Sequence, residues 1–188
     1  MQSVEFGRCM INMEGKNVVL VVDMLKGFME SGNNLYCGDD ARDIIPKVRD
    51  LLDVEQGKLS TIFYICDNHK PDDLEFEIFP THCLEGTEEA NVITELDGYP
   101  GQRINKQRYS GFYGTDLGKR LEEIAPDKII ICGVCTDICV LHTAADARNR
   151  DFKVEVLEST VASFDKEAHG WALAHMRNVL GVNIINGI

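Results

Sequence analysis

The run Ile129-Ile130-Ile131-Cys132-Gly133-Val134 admits few folds. Unbroken apolarity with β-branched residues describes a strand covered on both faces, the habit of a central strand in a parallel sheet. Lys128–Cys132 is one of five such strands expected, with Val18–Val22, Thr61–Cys66, Lys153–Leu157 and Val182–Ile185. Between them, Ala41–Glu55, Gly114–Ile124, Asp137–Arg150 and Lys166–Leu180 carry apolar residues at helical spacing, punctuated by Gly57, Gly133 and Gly181. Strands that alternate with helices need right-handed crossovers. The expected class is therefore α/β: a three-layer α/β/α sandwich, doubly wound like a Rossmann fold around a central parallel sheet.

The same run leads straight into Thr136 and Asp137, residue types that cap helices, and places Cys139 in the first helical turn. A thiol there is expected to have a lowered pKa, because the helix end and its free amides favour the thiolate. Cys132, inside the strand, reads as a small buried hydrophobe.

With 188 residues, 44% of them hydrophobic, the chain has room for one full core. We read residues 17–188 as a single domain preceded by an N-terminal extension, residues 1–16. The apolar runs are strand-length, too short for a signal peptide or a membrane span, so the expected location is cytoplasmic. An odd count of seven cysteines without a secretory signal argues against a disulfide framework. A net charge of -12 repels phosphate backbones and anionic lipid, which argues against nucleic-acid and membrane partners and leaves a small molecule as the expected one.

In open sheets of this kind ligands bind at the carboxyl ends of strands. The first strand ends at Asp23, either a turn cap or a buried carboxylate with a raised pKa. The second ends in Cys66-Asp67-Asn68-His69 and opens a long irregular excursion to about residue 101 that holds Glu75 and His82. Asp67, His69, Glu75 and His82 are mixed oxygen and nitrogen donors suited to zinc, manganese or iron, and Asp67 and His69, two apart on an extended segment, face the same side. Lys106 follows within a short alternation. His169 and His175 are six apart on one helix, hence on different faces, and read as packing or surface residues.

Taken together, these segments resemble the isochorismatase-like cysteine hydrolases, most closely the nicotinamidase and pyrazinamidase branch, from Val18 to about Ala162. The resemblance rests on Asp23, Lys106 and the motif Gly133-Val134-Cys135-Thr136-Asp137-Ile138-Cys139-Val140, with Asp67-Asn68-His69 and the stretch from Glu75 through Phe79-Pro80-Thr81-His82-Cys83 to Gly86-Thr87. It implies a catalytic triad of Asp23, Lys106 and Cys139, and an oxyanion hole from the backbone N–H groups of Cys135 and Cys139, with a cis peptide between Val134 and Cys135. It also implies a divalent metal, zinc foremost, on Asp67, His69, His82 and Glu75, a homo-oligomer, and hydrolysis of nicotinamide in NAD salvage. Asn68 stands where several nicotinamidases carry an aromatic, so the wall for a pyridine ring is expected from Phe28, Tyr109 and Phe112. The alternatives are a related hydrolase of carbamoyl or ureido amides and a non-catalytic binding protein. Cys135, four residues from Cys139, is a candidate to resolve a sulfenic acid on the nucleophile.

Overall fold

The computed structural model describes residues 16–186, so the N-terminal extension, apart from Lys16, lies outside the described residues. Six strands, β1 (Asn17–Val22), β2 (Thr61–Asp67), β3 (Gln102–Lys106), β4 (Lys128–Val134), β5 (Val154–Ala162) and β6 (Asn183–Ile185), form one sheet in the order β3-β2-β1-β4-β5-β6. Every pairing is parallel. The helices are α1 (Lys26–Met29), α2 (Asp39–Arg42), α3 (Ile44–Gly57), α4 (Leu117–Ile124), α5 (Leu141–Arg148) and α6 (Lys166–Asn178).

Two apolar cores flank the sheet, because successive strand side chains point to opposite faces. On one face Val19 and Val21 of β1 pack with Val48 and Leu52 of α3. On the other, Val18, Leu20 and Val22 pack with Leu117 and Leu121 of α4, Ala144 of α5 and Met176 of α6. The expected three-layer arrangement is the observed one. The chain winds outward from β1 to β3, then restarts at β4 and winds the other way, so β1 and β4 are neighbours whose connections leave in opposite directions. The crevice at their carboxyl ends is where such a sheet binds ligands.

Three of the differences from the sequence reading bear on the site. β3 was not expected as a strand, since Gln102, Arg103 and Asn105 are exposed on this sheet edge and supply no apolar pattern. β5 runs five residues beyond Leu157, through the polar Glu158-Ser159-Thr160, after a register irregularity between Ile131 and Gly133. The helix expected over Asp137–Arg150 opens as a π turn, Thr136–Val140, before α5 begins at Leu141. Thr136 and Asp137 do not cap it. Thr136 Oγ1 instead lies 2.9 Å from His169 Nδ1 of α6, and the Ser163 hydroxyl donates to Asp137, so both side chains tie the turn to the β5–α6 segment.

One glycine is indispensable to this junction. Gly133 has φ +110, and a Cβ there would lie 1.9 Å from the carbonyl oxygen of Val22. Only glycine lets β4 pass so close to the end of β1.

Candidate active site

Asp23 follows β1 directly, with a left-handed backbone (φ 49) that Asp tolerates better than most residues. Its N–H donates to the Ile65 carbonyl of β2 at 2.8 Å, and its Oδ1 accepts from the backbone N–H of Asp67 at 2.9 Å. The parallel register of β2 and β3 sets Asp67 opposite Lys106. Lys106 is completely buried, a position that lysine holds only against charge partners. Its Nζ lies 2.8 Å from Asp23 Oδ2 and 2.5 Å from Asp67 Oδ1, and donates to Cys139 Sγ at 3.4 Å. Asp23, Lys106 and Cys139, chosen from the sequence, thus meet at the β1–β4 crevice.

The electrostatics here are those of one buried cation between two carboxylates. Burial and the neighbouring Asp67 push the Asp23 carboxyl up to about 6, against the pull of Lys106. Burial raises Asp67 too, but Lys106, His69 and His82 outweigh it and hold that carboxylate far below its usual range. Lys106 stays charged, well above the ordinary lysine value, because the carboxylates overcome its burial. Cys139 differs from the sequence expectation. Burial lifts its thiol well above the ordinary value, Asp23 and Asp67 add to the lift, and Lys106 compensates only in part. The turn that carries Cys139 therefore does not ionise it, and a base is needed. Asp23 is the adjacent acceptor, with a carboxylate oxygen within 4.8 Å of the sulfur.

The second group shares Asp67. Asp67 Oδ2 lies 3.6 Å from His69 Nε2 and 3.7 Å from His82 Nε2, and Glu75 Oε1 lies 3.9 Å from His82 Nε2. The other imidazole nitrogens are already engaged: His69 Nδ1 with Asp73 Oδ2 at 3.0 Å, His82 Nδ1 with the Pro80 carbonyl at 2.8 Å. Asp73 is itself held by Arg108 at 2.8 Å. Outer partners that fix both rings and aim both Nε2 atoms at one point are the supporting shell of a metal centre. His69 Nε2 and Glu75 Oε2 are buried without a hydrogen-bond partner, an arrangement a cation would satisfy. Burial disfavours a charged His69, yet Asp67 and Asp73 raise it to about 9, a further sign that the site is built for positive charge. The residues present therefore fit a divalent ion, and Asp67, His69 and His82 form a candidate metal site beside the trio.

Both groups open on a narrow cleft lined by Asp23, Asp67, Glu75, His82, Cys135 and Cys139 on its polar side. Phe28, Leu35, Phe79, Tyr109, Ile138 and Phe164 supply the apolar walls. Phe28 and Tyr109 are where the sequence reading put them. Phe112 is not. It is buried in the core on the α4 side of the sheet, under the Arg150 guanidinium at 4.7 Å from the ring centroid. Its place is taken by Phe79, three residues before His82, and by Phe164, just past β5. Asp73 was also missed, because it stands beside Asp72 in a loop with neither helical nor strand periodicity. The Val134–Cys135 peptide bond is cis. His175 stacks on Trp171 at 4.9 Å, a packing role as expected.

The model of the isochorismatase domain matches residues 17–185, nearly all of the described chain. The chain belongs to the isochorismatase family. Within the family, it is similar to the crystal structure of nicotinamidase PncA from Bacillus subtilis, at 33% identity and a TM-score of 0.85, covering 90% of this chain and 99% of that one. A pyrazinamidase of Pyrococcus horikoshii in complex with zinc is 31% identical with a TM-score of 0.83, over 92% of this chain and 99% of that one. N-carbamoylsarcosine amidase from Thermoplasma acidophilum is 30% identical with a TM-score of 0.81, over 91% and 96%. The isochorismatase fold thus carries more than one amide hydrolase among these neighbours, and the chain is a hydrolase of that family. No helix among the described residues is long and apolar enough to cross a membrane.

Proposed function

We propose that this protein is a cysteine amidohydrolase that converts nicotinamide to nicotinate and ammonia, as a step of NAD salvage. The observation that carries the reading is the sharing of Asp67 between the Asp23–Lys106–Cys139 cluster and the Asp67–His69–His82 group, on one aromatic cleft. A carboxamide carbon at Cys139 leaves the ring of the same small molecule within reach of the metal ligands.

In this reading Asp23 takes the proton of Cys139 while Lys106 steadies the thiolate and the carboxylate. The sulfur attacks the carboxamide carbon, and the backbone N–H groups of Cys135 and Cys139 receive the oxyanion. Asp23 returns its proton to the leaving nitrogen, which departs as ammonia and leaves a thioester. Water deprotonated by Asp23 attacks the thioester, nicotinate leaves, and the thiol is restored. Asp67, His69 and His82, with Glu75, would hold a divalent ion, zinc foremost, that when bound offers an acceptor for a pyridine nitrogen and so orients the ring. Phe28, Phe79, Tyr109 and Phe164 close around the ring and exclude water.

The family's hydrolysis of carbamoyl amides is the second reading, favoured by the likeness to N-carbamoylsarcosine amidase. A non-catalytic role is opposed by the complete trio. Ammonia release from nicotinamide and from N-carbamoyl amides, by wild type and Cys139→Ala, separates them. We expect turnover of nicotinamide that vanishes in the variant. Turnover of the carbamoyl amide alone would move the substrate assignment, and no turnover of either by folded, metal-loaded protein would contradict the amidase reading.

A further inference from the structure

The sulfur in contact with Cys135 is that of Cys37, not the nucleophile expected from the sequence. The two Sγ atoms lie 3.6 Å apart, both buried, in residues 98 apart in the chain. Cys132, although spaced Cys-x-x-Cys from Cys135, turns to the Leu20 carbonyl at 3.8 Å. Cys37 sits between α1 and α2, its N–H held by the Phe28 carbonyl at 2.8 Å and its sulfur 3.8 Å from the Leu35 carbonyl. Phe28 and Leu35 are cleft walls, and Cys135 itself lines the cleft. The pair therefore joins the wall loop to the strand end that supplies an oxyanion donor.

We propose that Cys37 and Cys135 are an oxidative modification site, closing to a disulfide under peroxide and switching the adjacent site off. One thiol attacks the peroxide oxygen, the O–O bond breaks, and a sulfenic acid forms with release of water. The second thiol attacks that sulfur, the S–S bond forms, and a second water leaves. Two thiols lose two protons and two electrons, and one peroxide becomes two waters. Peroxide is small enough to enter by the substrate cleft, where Cys135 is the member of the pair that it meets. The contact with Cys37 and the burial both raise the Cys135 thiol, which keeps it a slow nucleophile, so sustained rather than trace oxidant is required.

A disulfide holds its sulfurs at about 2.05 Å. Closing from 3.6 Å brings the two sulfurs together by about 1.5 Å, a shift shared between the side chains and the backbone of the wall loop and Cys135, and a misplacement of about 1 Å at a reacting centre is enough to slow chemistry up to ~100-fold. The bond itself is independent of which amide is hydrolysed; its effect on turnover rests on the reading of Cys135 as an oxyanion donor.

The test is peroxide treatment of Cys139→Ala protein, whose nucleophile cannot compete, followed by non-reducing peptide mapping. We expect a species that has lost two hydrogens and a linked peptide containing Cys37 and Cys135, absent from the Cys37→Ala, Cys139→Ala double variant. In wild type carrying that bond with Cys139 shown to be free, ammonia release falls about tenfold or more and dithiothreitol restores it. Alkylation of both Cys37 and Cys135 after oxidation, or a bond from Cys135 to Cys139 in wild type, overturns the assignment. Full-rate turnover by the bonded protein overturns the coupling to the site. The mapping needs no substrate, so it reads out even where nicotinamide is not hydrolysed.

Discussion

At the residue scale the site depends on side chains whose neighbours leave them no alternative. Gly133 shows this most sharply: φ +110 together with a Cβ 1.9 Å from the Val22 oxygen excludes every other residue. Gly133→Ala should destabilise the protein by roughly 3 kcal/mol or more, read as a lowered urea midpoint at unchanged m-value. An equally stable variant would mean that β1 and β4 can separate at no cost. Asp73 acts at one remove. Its carboxylate holds His69 Nδ1, so Asp73→Asn should weaken zinc retention on dialysis by about 10- to 100-fold while circular dichroism and melting of the metal-free protein stay close to wild type. Unchanged zinc affinity would show that His69 is oriented by packing alone. Asp23, Asp67 and His69 stood out in the sequence because reactive residue types followed an apolar strand run, and Cys139 because such a run led into a helix start. His82, by contrast, was one donor in an irregular stretch, and Lys106 took its role from the family resemblance. Phe79 stood inside the family motif but not as a cleft wall, and Phe164 and Asp73 were not singled out at all, since an aromatic in a loop or an acid in an acidic stretch carries no mark until the chain folds around it. Phe112 was misplaced for the same reason: proximity to Lys106 in sequence says nothing about which face of the sheet a ring joins.

At the element scale, reading strength follows burial. β1 and β4, covered on both faces, announce themselves as apolar runs, whereas edge strand β3 turns only Ile104 and the charged Lys106 to the interior. The π turn at Thr136–Val140 was unreadable, because the hydrogen-bond step of a helix start leaves no imprint on composition. The far end of the sheet has its own fixture. Glu55, in the last turn of α3, accepts from Asn17 of β1 at 3.0 Å, from Ser60 before β2 at 2.6 Å and from Lys58 at 2.9 Å. Burial alone would raise its carboxyl, but these three donors outweigh burial and lower it. A depressed folded value stabilises the fold above the unfolded value, near pH 4.5, and this contribution fades as pH falls through the folded value. Glu55→Gln should therefore cost about 1 to 3 kcal/mol at neutral pH and progressively less below about pH 4.5, measured by urea melts across that range. A loss that did not shrink in acid would assign the effect to packing.

At the scale of the whole molecule, the strand order places chemistry before any particular side chain is considered. Reversal of winding between β1 and β4 opens one crevice, and Asp23, at the end of one strand, and Cys139, past the end of the other, both fall in it. Lys106 arrives from the end of β3, and Asp67 from β2, by parallel register. The alternation of strand and helix patterns was enough to read this architecture, and the resemblance to a family supplied roles that periodicity could not. Hydrolysis by a thiol passes through a covalent intermediate, here on Cys139. Acid quenching of metal-loaded protein during turnover of nicotinamide, followed by peptide mass analysis, tests it most directly. The expected product is a nicotinoyl group on the peptide containing Cys139, absent from Cys139→Ala. Steady turnover with an unmodified Cys139 peptide, or with the acyl group on another residue, would contradict it.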